Sequence, residues 1–422
     1  MLNFAPVYCI RMTDISFWQF PLSLILSLAS LAGLLLLWRY LPSGRVRRIL
    51  CGKAMCAISI VAFLILTALE GTYGTAWHRS PAMWVVSVIM MVSLGLTIMD
   101  SIKVRRSAAG ILSHLGLFLL MYGAFWGAPD VVDAQMAVFH GHDESYAYTG
   151  DGRVVTLPFS VRLVDFSIDY YDDGISPRQY SSLLRIDGKE YETSVNHPCL
   201  CKGFYIYQSD YDQESGEYSV LKMVRDPWLP VVFLGMLLLA AGAVAGLERC
   251  WNSVYMFLAM AVIAVAFAVI SVARINFGTL MPALRSLWFI PHLALYMLAY
   301  SSLALALITG AISFFSKKER KSDSLSLKLL STASALLLLG MLCGAVWAKY
   351  VWGDWWTWDA KECWAAVTWL FTLLGTHLPV KAGKKGAAVL VCILLAFLAM
   401  QVAWYGVEAL PASHTSLHTY NY

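Results

Sequence analysis

Charged residues are scarce in this sequence, and two common motif classes are missing. Asp, Glu, Lys and Arg make up 14% of the 422 residues, whereas soluble proteins carry about a quarter, which excludes a soluble enzyme and a disordered chain. The nine cysteines form no CxxC pair and do not indicate a disulfide scaffold, and the lack of HExxH argues against a zincin-type membrane protease. The net charge of +4 is too small to indicate nucleic acid as a partner.

The abundant residues are apolar. Hydrophobic residues make up 59% of the chain, and they include sixteen Trp and seventeen Met. A helix needs about 20 apolar residues to cross a bilayer. Ten stretches qualify, namely 18–38, 54–70, 81–99, 109–128, 228–246, 253–272, 292–313, 327–346, 364–380 and 387–405. The composition therefore predicts a polytopic membrane protein with about ten transmembrane helices.

The short connections predict the orientation, because Lys and Arg concentrate on the cytoplasmic side of a membrane. Seventeen of them fall in the odd-numbered connections and six in the short segments on the other side. Both termini and the one long connection, 129–226, are therefore expected on the outer face. That connection alternates apolar and polar residues, and Ile186-Asp187-Gly188-Lys189 is typical of a hairpin turn. We expect an all-α membrane protein with one small β-rich extracytoplasmic domain.

Two histidines fall inside predicted helices, where ionisable groups are costly and indicate a function. His114 follows Arg106 by eight residues and His377 precedes Lys381 by four, which places them about 12 Å and about 6 Å from the cytoplasmic charges at 1.5 Å per residue. Two imidazoles at similar depth on separate helices suit axial ligation of one haem iron. Two separate histidines bonded to backbone carbonyls explain the spacing equally well.

Histidines also mark the outer side of the predicted topology. His292 lies at the start of a predicted helix, on the outer face of the membrane. His418 lies in the outer C-terminal tail, where His414 is a competing candidate ligand. Taken alone, each is more simply interpreted as a solvated or interfacial histidine.

Tryptophan is concentrated between His292 and His418. Seven of the sixteen tryptophans lie within 23 residues: Trp347, Trp352, Trp355, Trp356, Trp358, Trp364 and Trp369. An aromatic belt explains one or two Trp at a helix end. Seven in one loop, interleaved with Gly353, Asp359, Lys361 and Glu362, instead favour a platform for a large planar ligand such as a porphyrin.

The tryptophan-rich segment carries a family resemblance. WGDWWTWDAKECWA resembles the WWD signature of the CcsA/ResC cytochrome c biogenesis proteins, with Ala360 in place of the usual Pro. MPALRSLWFIPHLALYMLAY and SLHTY are similar to the segments with that family's two external haem-ligating histidines, which fall on His292 and His418. WLFTLLGTH matches the position of its membrane histidine, here His377.

The first half of the chain is similar to the partner family, CcsB/ResB. LPFSVRLVDFSIDYY and VNHPCLCKGFYIYQSDY resemble its external-domain segments, and LSHLGLFLLMYGA carries its membrane histidine at His114. The chain thus resembles a fused CcsB–CcsA synthase of cytochrome c biogenesis system II. The resemblance divides it into an N-terminal segment with an extra helix at 1–47, CcsB-like helices at 48–128, the β-rich domain at 129–226, a last CcsB-like helix at 227–250, and a CcsA-like domain at 251–422 with the WWD loop at 347–364.

The resemblance implies a cytochrome c haem lyase in a bacterial cytoplasmic membrane. Haem b would be exported from the cytoplasmic to the outer face and attached to the CxxCH thiols of apocytochrome c, with thiol-reducing proteins as possible partners and no nucleic acid. His114 and His377 would bind iron first, and His292 and His418 after it. The remaining implied haem contacts are Trp352, Gly353, Trp355, Trp356, Trp358, Asp359, Lys361, Glu362 and Trp364.

Several interpretations stay open at this point. Lys361 and Glu362 either contact haem propionates or merely solvate a loop. The whole protein is alternatively a haem exporter or delivery chaperone without ligation activity, a b-type dihaem electron-transfer protein, or a membrane scaffold.

Overall fold

The fold combines a helical bundle with one β-sheet domain. A computed structural model describes residues 19–41, 44–212, 216–247, 279–315, 321–378 and 386–415, together with positions 261 and 265. Its helices are α1 Leu22–Tyr40, α2 Arg45–Leu50, α3 Lys53–Tyr73, α4 Pro81–Lys103, α5 Ala108–Gly127, α6 Leu229–Leu247, α7 Phe289–Phe315, α8 Lys321–Trp352, α9 Ala360–His377 and α10 Gly386–Gln401.

Within the described ranges, eight helices are long and apolar enough to cross a membrane: α1, α3, α4, α5, α6, α7, α8 and α10. The protein is therefore a multi-pass membrane protein, as its composition predicts. The stretch expected to span at 364–380 forms α9, which is less apolar because its first turn carries Lys361 and Glu362. The span expected at 253–272 lies almost entirely outside the described residues.

Glycines allow α5 and α6 to pack closely. A Cβ added to Gly116 would lie 2.4 Å from the Leu239 nitrogen, and one added to Gly242 would lie 2.5 Å from the Ser113 nitrogen. Small residues of this kind let helix backbones approach inside a membrane, where helix association depends on close packing. The contact fixes α5, and with it His114, against the rest of the bundle.

The β-rich domain is one antiparallel sheet, as the alternating sequence predicts. Its order is β5-β4-β3-β2-β1-β8-β7-β6. The strands are β1 Val132–Phe139, β2 Glu144–Tyr148, β3 Val154–Tyr170, β4 Pro177–Ile186, β5 Lys189–Ser194, β6 Cys199–Cys201, β7 Phe204–Tyr211 and β8 Tyr218–Arg225.

The predicted hairpin is confirmed. Ile186 pairs with Lys189, while Asp187 and Gly188 have φ values of 47° and 82°. Two consecutive positive φ values are what a two-residue type I′ turn requires.

The sheet is attached at one end of the bundle, because β1 follows α5 and β8 leads into α6. Asp130 at this junction accepts hydrogen bonds from Ser23 Oγ at 2.7 Å and Trp228 Nε1 at 2.6 Å. We call this the sheet end of the helices. The Arg105–Arg106 turn between α4 and α5 lies at the opposite end.

Candidate functional site

His114 and His377 meet near the opposite end of the helices. His114 lies in the second turn of α5, and His377 is the last residue of α9, which runs in the other direction. Their ring centroids are 6.3 Å apart and their planes are inclined at 77°. The structure therefore brings together two histidines that are 263 positions apart in the sequence.

Backbone hydrogen bonds orient this pair. His377 Nδ1 lies 2.9 Å from the Leu373 carbonyl oxygen, and since a carbonyl only accepts, Nδ1 carries the hydrogen and Nε2 the lone pair. His114 has a hydrogen-bonding partner in the backbone of Gly110, four residues earlier. The backbone bonding that the sequence left as an alternative thus coexists with the pairing of the rings.

The separation of the rings fits a shared metal. An imidazole nitrogen lies about 2 Å from a bound transition metal and each ring centre about 1 Å further out, so two axial rings have centres about 6 Å apart. The observed 6.3 Å agrees with this value. A direct contact between two edge-on rings also occurs at this distance. What favours a metal is the donor chemistry, because imidazole nitrogens are the commonest metal ligands in proteins.

His292 lies in the first turn of α7 at the sheet end, against α8. Its Nδ1 lies 2.8 Å from the Gly340 carbonyl oxygen, which again assigns the hydrogen to Nδ1 and the lone pair to Nε2. A Cβ on Gly344 would lie 2.7 Å from the same nitrogen, so this position needs glycine. The ring also contacts Trp347, with centroids 5.8 Å apart.

His418, the second outer candidate, lies outside the described residues. His414 is in the short helix Pro411–Thr415. That helix reaches the sheet end of α3, where the Cβ of Ala412 would lie 3.5 Å from a Cβ on Gly74.

The tryptophan-rich loop joins α8 to α9, and Asp359 is the N-cap of α9. Asp359 Oδ1 accepts a hydrogen bond from the Glu362 nitrogen at 2.9 Å, which satisfies a backbone N–H of the first helical turn. Glu362 Oε2 reaches back into the loop and accepts a hydrogen bond from the Thr357 nitrogen, two residues before the N-cap, at 2.7 Å. Asp359 and Glu362 therefore shape the loop, a role that the sequence interpretation of Glu362 did not include.

The indole rings of this loop are not coplanar. Trp347 and Trp352 are tilted by 52° with centroids 5.3 Å apart, and Trp356 and Trp358 are nearly perpendicular at 6.2 Å. The rings therefore lie in tilted pairs, and a planar ligand on this segment would meet ring edges as well as ring faces. The backbone of the segment has positive φ at Gly353 and Trp358, at 83° and 62°.

Two indole nitrogens of this region are buried without a hydrogen-bond partner among the described residues, Trp355 Nε1 and Trp364 Nε1. A buried N–H group of this kind costs about 1–3 kcal/mol when it is unpaired. Unpaired donors beside an aromatic cluster suit a ligand with an apolar body and acceptor groups at its edge.

The β-sheet contacts this loop directly. Lys222 on β8 forms ion pairs with Asp354 of the loop and, at 3.1 Å, with Asp133 on β1. Burial alone would lower the pKa of Lys222, but the two carboxylates raise it above its ordinary value. The sheet also fills the space around Gly353, where an added Cβ would lie 3.0 Å from Val224 and 3.1 Å from Tyr207.

Lys349 and Lys361 lie on either side of the loop. Lys349 Nζ donates a hydrogen bond to the Gly353 carbonyl at 2.7 Å and lies 5.8 Å from the centre of the Trp355 ring. Lys361 interacts electrostatically with Asp359 and Glu408.

Sequence reasoning missed two residues at the sheet end, Glu70 and His78. The imidazole of His78 stacks on Trp358 with centroids 5.2 Å apart and planes within 9°, and Glu70 is a carboxylate with only 4% of its side chain exposed. A signal was present, because Glu70 is an ionisable residue at the border of the predicted span 54–70.

An open groove of about 500 Å³ lies beside this pair. It is lined by Leu69, Tyr73, Thr75, Ala76, Trp77 and Ser80. Of the histidines that the sequence singles out and the structure describes, none lines this groove.

Comparison with known proteins identifies two consecutive domains. Residues 103–220 match the ResB-like family, and residues 228–414 match the family described as cytochrome c assembly protein. The cytochrome c biogenesis protein CcsA of Prochlorococcus marinus strain MIT 9312 is 29% identical over 180 residues, covering 34% of this chain and 57% of that protein. CcsA of Chlamydomonas reinhardtii is 28% identical over 155 residues, covering 34% and 43%.

The chain thus spans about half the length of these relatives, 57% of the first and 43% of the second. Both families concern cytochrome c biogenesis. The chain belongs to the cytochrome c assembly proteins, in a form in which a ResB-like domain and a CcsA domain are fused.

Proposed function

We propose that this protein transfers haem b across the membrane and attaches it covalently to the CxxCH thiols of apocytochrome c. The single observation that carries the proposal is the placement of His114 and His377 with ring centroids 6.3 Å apart. Because the chain matches a cytochrome c assembly family, and maturation of a cytochrome c requires haem, haem is the ligand that we assign to this histidine pair.

The inner site is the His114–His377 pair. It lies away from the sheet end, which is the cytoplasmic side if the distribution of Lys and Arg is a guide. The hydrogen bond from His377 Nδ1 to the Leu373 carbonyl fixes the ring's orientation and leaves Nε2 to carry the lone pair. Haem entering from the cytoplasm is held there by both rings.

The outer site lies at the sheet end, with His292 as one axial ligand and His418 as the other. His292 is oriented by the same device, a hydrogen bond from Nδ1 to a carbonyl. The second ligand is assigned from the resemblance alone. Trp352, Trp355, Trp356, Trp358 and Gly353 enclose the macrocycle, and the buried indole N–H groups of Trp355 and Trp364 offer donors to its propionates.

Attachment consumes no oxidant or reductant. Each client thiol adds across one haem vinyl group, so that sulfur bonds to the carbon next to the ring and the thiol hydrogen ends on the terminal carbon. The protein contributes binding, orientation and exclusion of water, while the reactivity belongs to haem and thiol.

Co-expression with a CxxCH reporter tests the function. The wild-type chain should yield a reporter with covalently bound haem, and His292→Ala should reduce this yield at least tenfold, while His142→Ala, which alters an exposed histidine of the sheet domain, should not. A reporter without covalent haem, made beside a chain that retains haem, would instead indicate an exporter or a b-type electron-transfer protein. If the purified chain shows no haem absorption, every haem-binding function is excluded and only the interpretation as a membrane scaffold remains.

A further inference from the structure

The proposed attachment reaction needs a group that accepts the thiol proton, and the structure offers one in a segment outside both family matches. The turn between α3 and α4 carries His78, and the last helical turns of α3 carry Glu70. The matched families begin at residue 103, so neither of them assigns a role to this segment.

Glu70 holds the turn from inside the bundle. Its Oε2 accepts a hydrogen bond from the His78 backbone nitrogen at 3.3 Å. Its Oε1 lies 3.3 Å from His78 Nδ1, a buried atom that makes no hydrogen bond among the described residues, so this contact is electrostatic. A carboxylate next to Nδ1 favours the tautomer with hydrogen on Nδ1. Such a carboxylate also stabilises the imidazolium that forms when the other nitrogen takes up a proton.

The other nitrogen of His78 faces the surface. Arg79 Nε donates a hydrogen bond to His78 Nε2 at 3.2 Å, which confirms that Nε2 carries the lone pair. His78 is 20% exposed, and Arg79 is exposed, so a thiol from outside can take the position of Arg79 at Nε2. The guanidinium beside it favours the thiolate that results.

Ring stacking places the His78 imidazole against the tryptophan-rich loop, because it lies parallel to the Trp358 indole. The backbone of Trp358 is held in turn by the Cys363 thiol, which donates a hydrogen bond to the Trp358 carbonyl oxygen at 3.3 Å. Cys363 interacts electrostatically with Glu362, Glu70 and Asp359. The charged or titratable groups around this cluster in the described part of the chain therefore include these three carboxylates, Cys363 itself and Arg79 of the turn.

We propose that Glu70 and His78 form the proton-accepting pair of the outer site, which takes the proton from a client cysteine as its sulfur bonds to the haem vinyl group. The proton that the terminal vinyl carbon gains balances the one that His78 accepts. This inference rests on the proposed attachment function.

The test uses the purified full-length chain loaded with haem and a synthetic peptide containing CxxCH, with thioether formation followed from pH 6 to 9. His78→Phe keeps a flat ring against Trp358 and removes the base, and Glu70→Gln keeps an acceptor for the turn and removes the charge. His142→Gln is the matched control. Haem absorbance of each variant reports binding separately from reaction.

We expect His78→Phe to bind haem normally and to react about 100-fold more slowly at pH 7. Its deficit should shrink about tenfold per pH unit as the free thiol ionises near pH 8.5. Glu70→Gln should show a smaller deficit with the same pH trend. A wild-type rate in His78→Phe, or a deficit that is constant with pH, would overturn the inference. A wild-type chain that attaches no haem overturns the proposed function itself, and the control reaction distinguishes that outcome.

Discussion

At the scale of residues, one device recurs in two histidines. His377 and His292 each direct Nδ1 at a backbone carbonyl, of Leu373 and of Gly340. A histidine that binds a metal commonly donates its other ring N–H in this way, which fixes both the tautomer and the ring orientation. The two sites at opposite ends of the bundle are thus built on the same local chemistry, although the residues that accept the hydrogen bonds belong to different helices.

Gly344 tests the orientation of His292. A Cβ in Gly344→Ala would lie 2.7 Å from His292 Nδ1, so the ring must turn and lose its bond to Gly340, at a cost of about 1–3 kcal/mol. We expect covalent attachment to fall at least tenfold while haem bound at His114 and His377 stays unchanged. Gly33→Ala, with no atom within 4 Å of its Cβ, is the control, and equal activity of the two variants would contradict the prediction.

At the scale of elements, α5 and α6 determine where the inner site lies. Gly116 and Gly235 place the two backbones in direct contact, so that α5 cannot shift without moving α6. His114 is two residues from Gly116, and its distance to His377 depends on this packing. The close approach therefore links helix association to the geometry of the histidine pair.

Gly116→Ala tests this link. The added methyl group would lie 2.4 Å from the Leu239 nitrogen, and we expect a lower midpoint of thermal unfolding in detergent together with reduced haem occupancy. An added Cβ at Gly246, near the end of α6, has no atom within 4 Å, so Gly246→Ala should retain both properties. Normal haem occupancy in Gly116→Ala would contradict the prediction, because it would show that haem binding at the inner site does not depend on the packing of α5 against α6.

The elements also show what the sequence could and could not predict. Hydropathy and alternation identify most helices and the sheet, because burial in lipid or in a sheet core constrains every residue along an element. The similar depth of His114 and His377, obtained from residue counts and the helix rise, predicts their pairing as one of two alternatives. The tilts of the Trp rings do not follow from the sequence, since they depend on side-chain rotamers and on packing between segments. The contact of His78 with Trp358 could not be predicted either, because no sequence pattern links the two segments that it joins.

At the scale of the whole molecule, the sheet is bound to the tryptophan-rich loop rather than merely tethered beside it. Lys222 connects β8 to Asp354 of the loop, and Asn196 donates a hydrogen bond to the Pro282 carbonyl at 2.7 Å, close to the start of α7. These contacts support a bracing role for the sheet against the loop and the segment before α7.

Lys222→Gln tests the bracing role. Because the folded-state pKa of Lys222 is raised above its ordinary 10.5, its contribution to stability is complete below that pH and is lost only as pH rises through the higher folded value. We expect Trp fluorescence of the wild-type loop to stay constant from pH 6 to 9 and to change above about pH 10.5, and Lys222→Gln to show the altered fluorescence at pH 7. Lys202→Gln breaks an exposed pair with Asp187 and should have no such effect, since exposed pairs contribute little. Identical spectra of the two variants at pH 7 would contradict a bracing role.

The measurement that tests the central claim most directly is a double-mutant cycle on haem occupancy of the purified chain, read from its absorption spectrum. If one iron is held by both rings, His114→Ala and His377→Ala each remove most of the inner-site haem, and the double variant loses no more than either single one. Losses that add independently, or a loss in only one of the two variants, would show that the histidines do not share an iron.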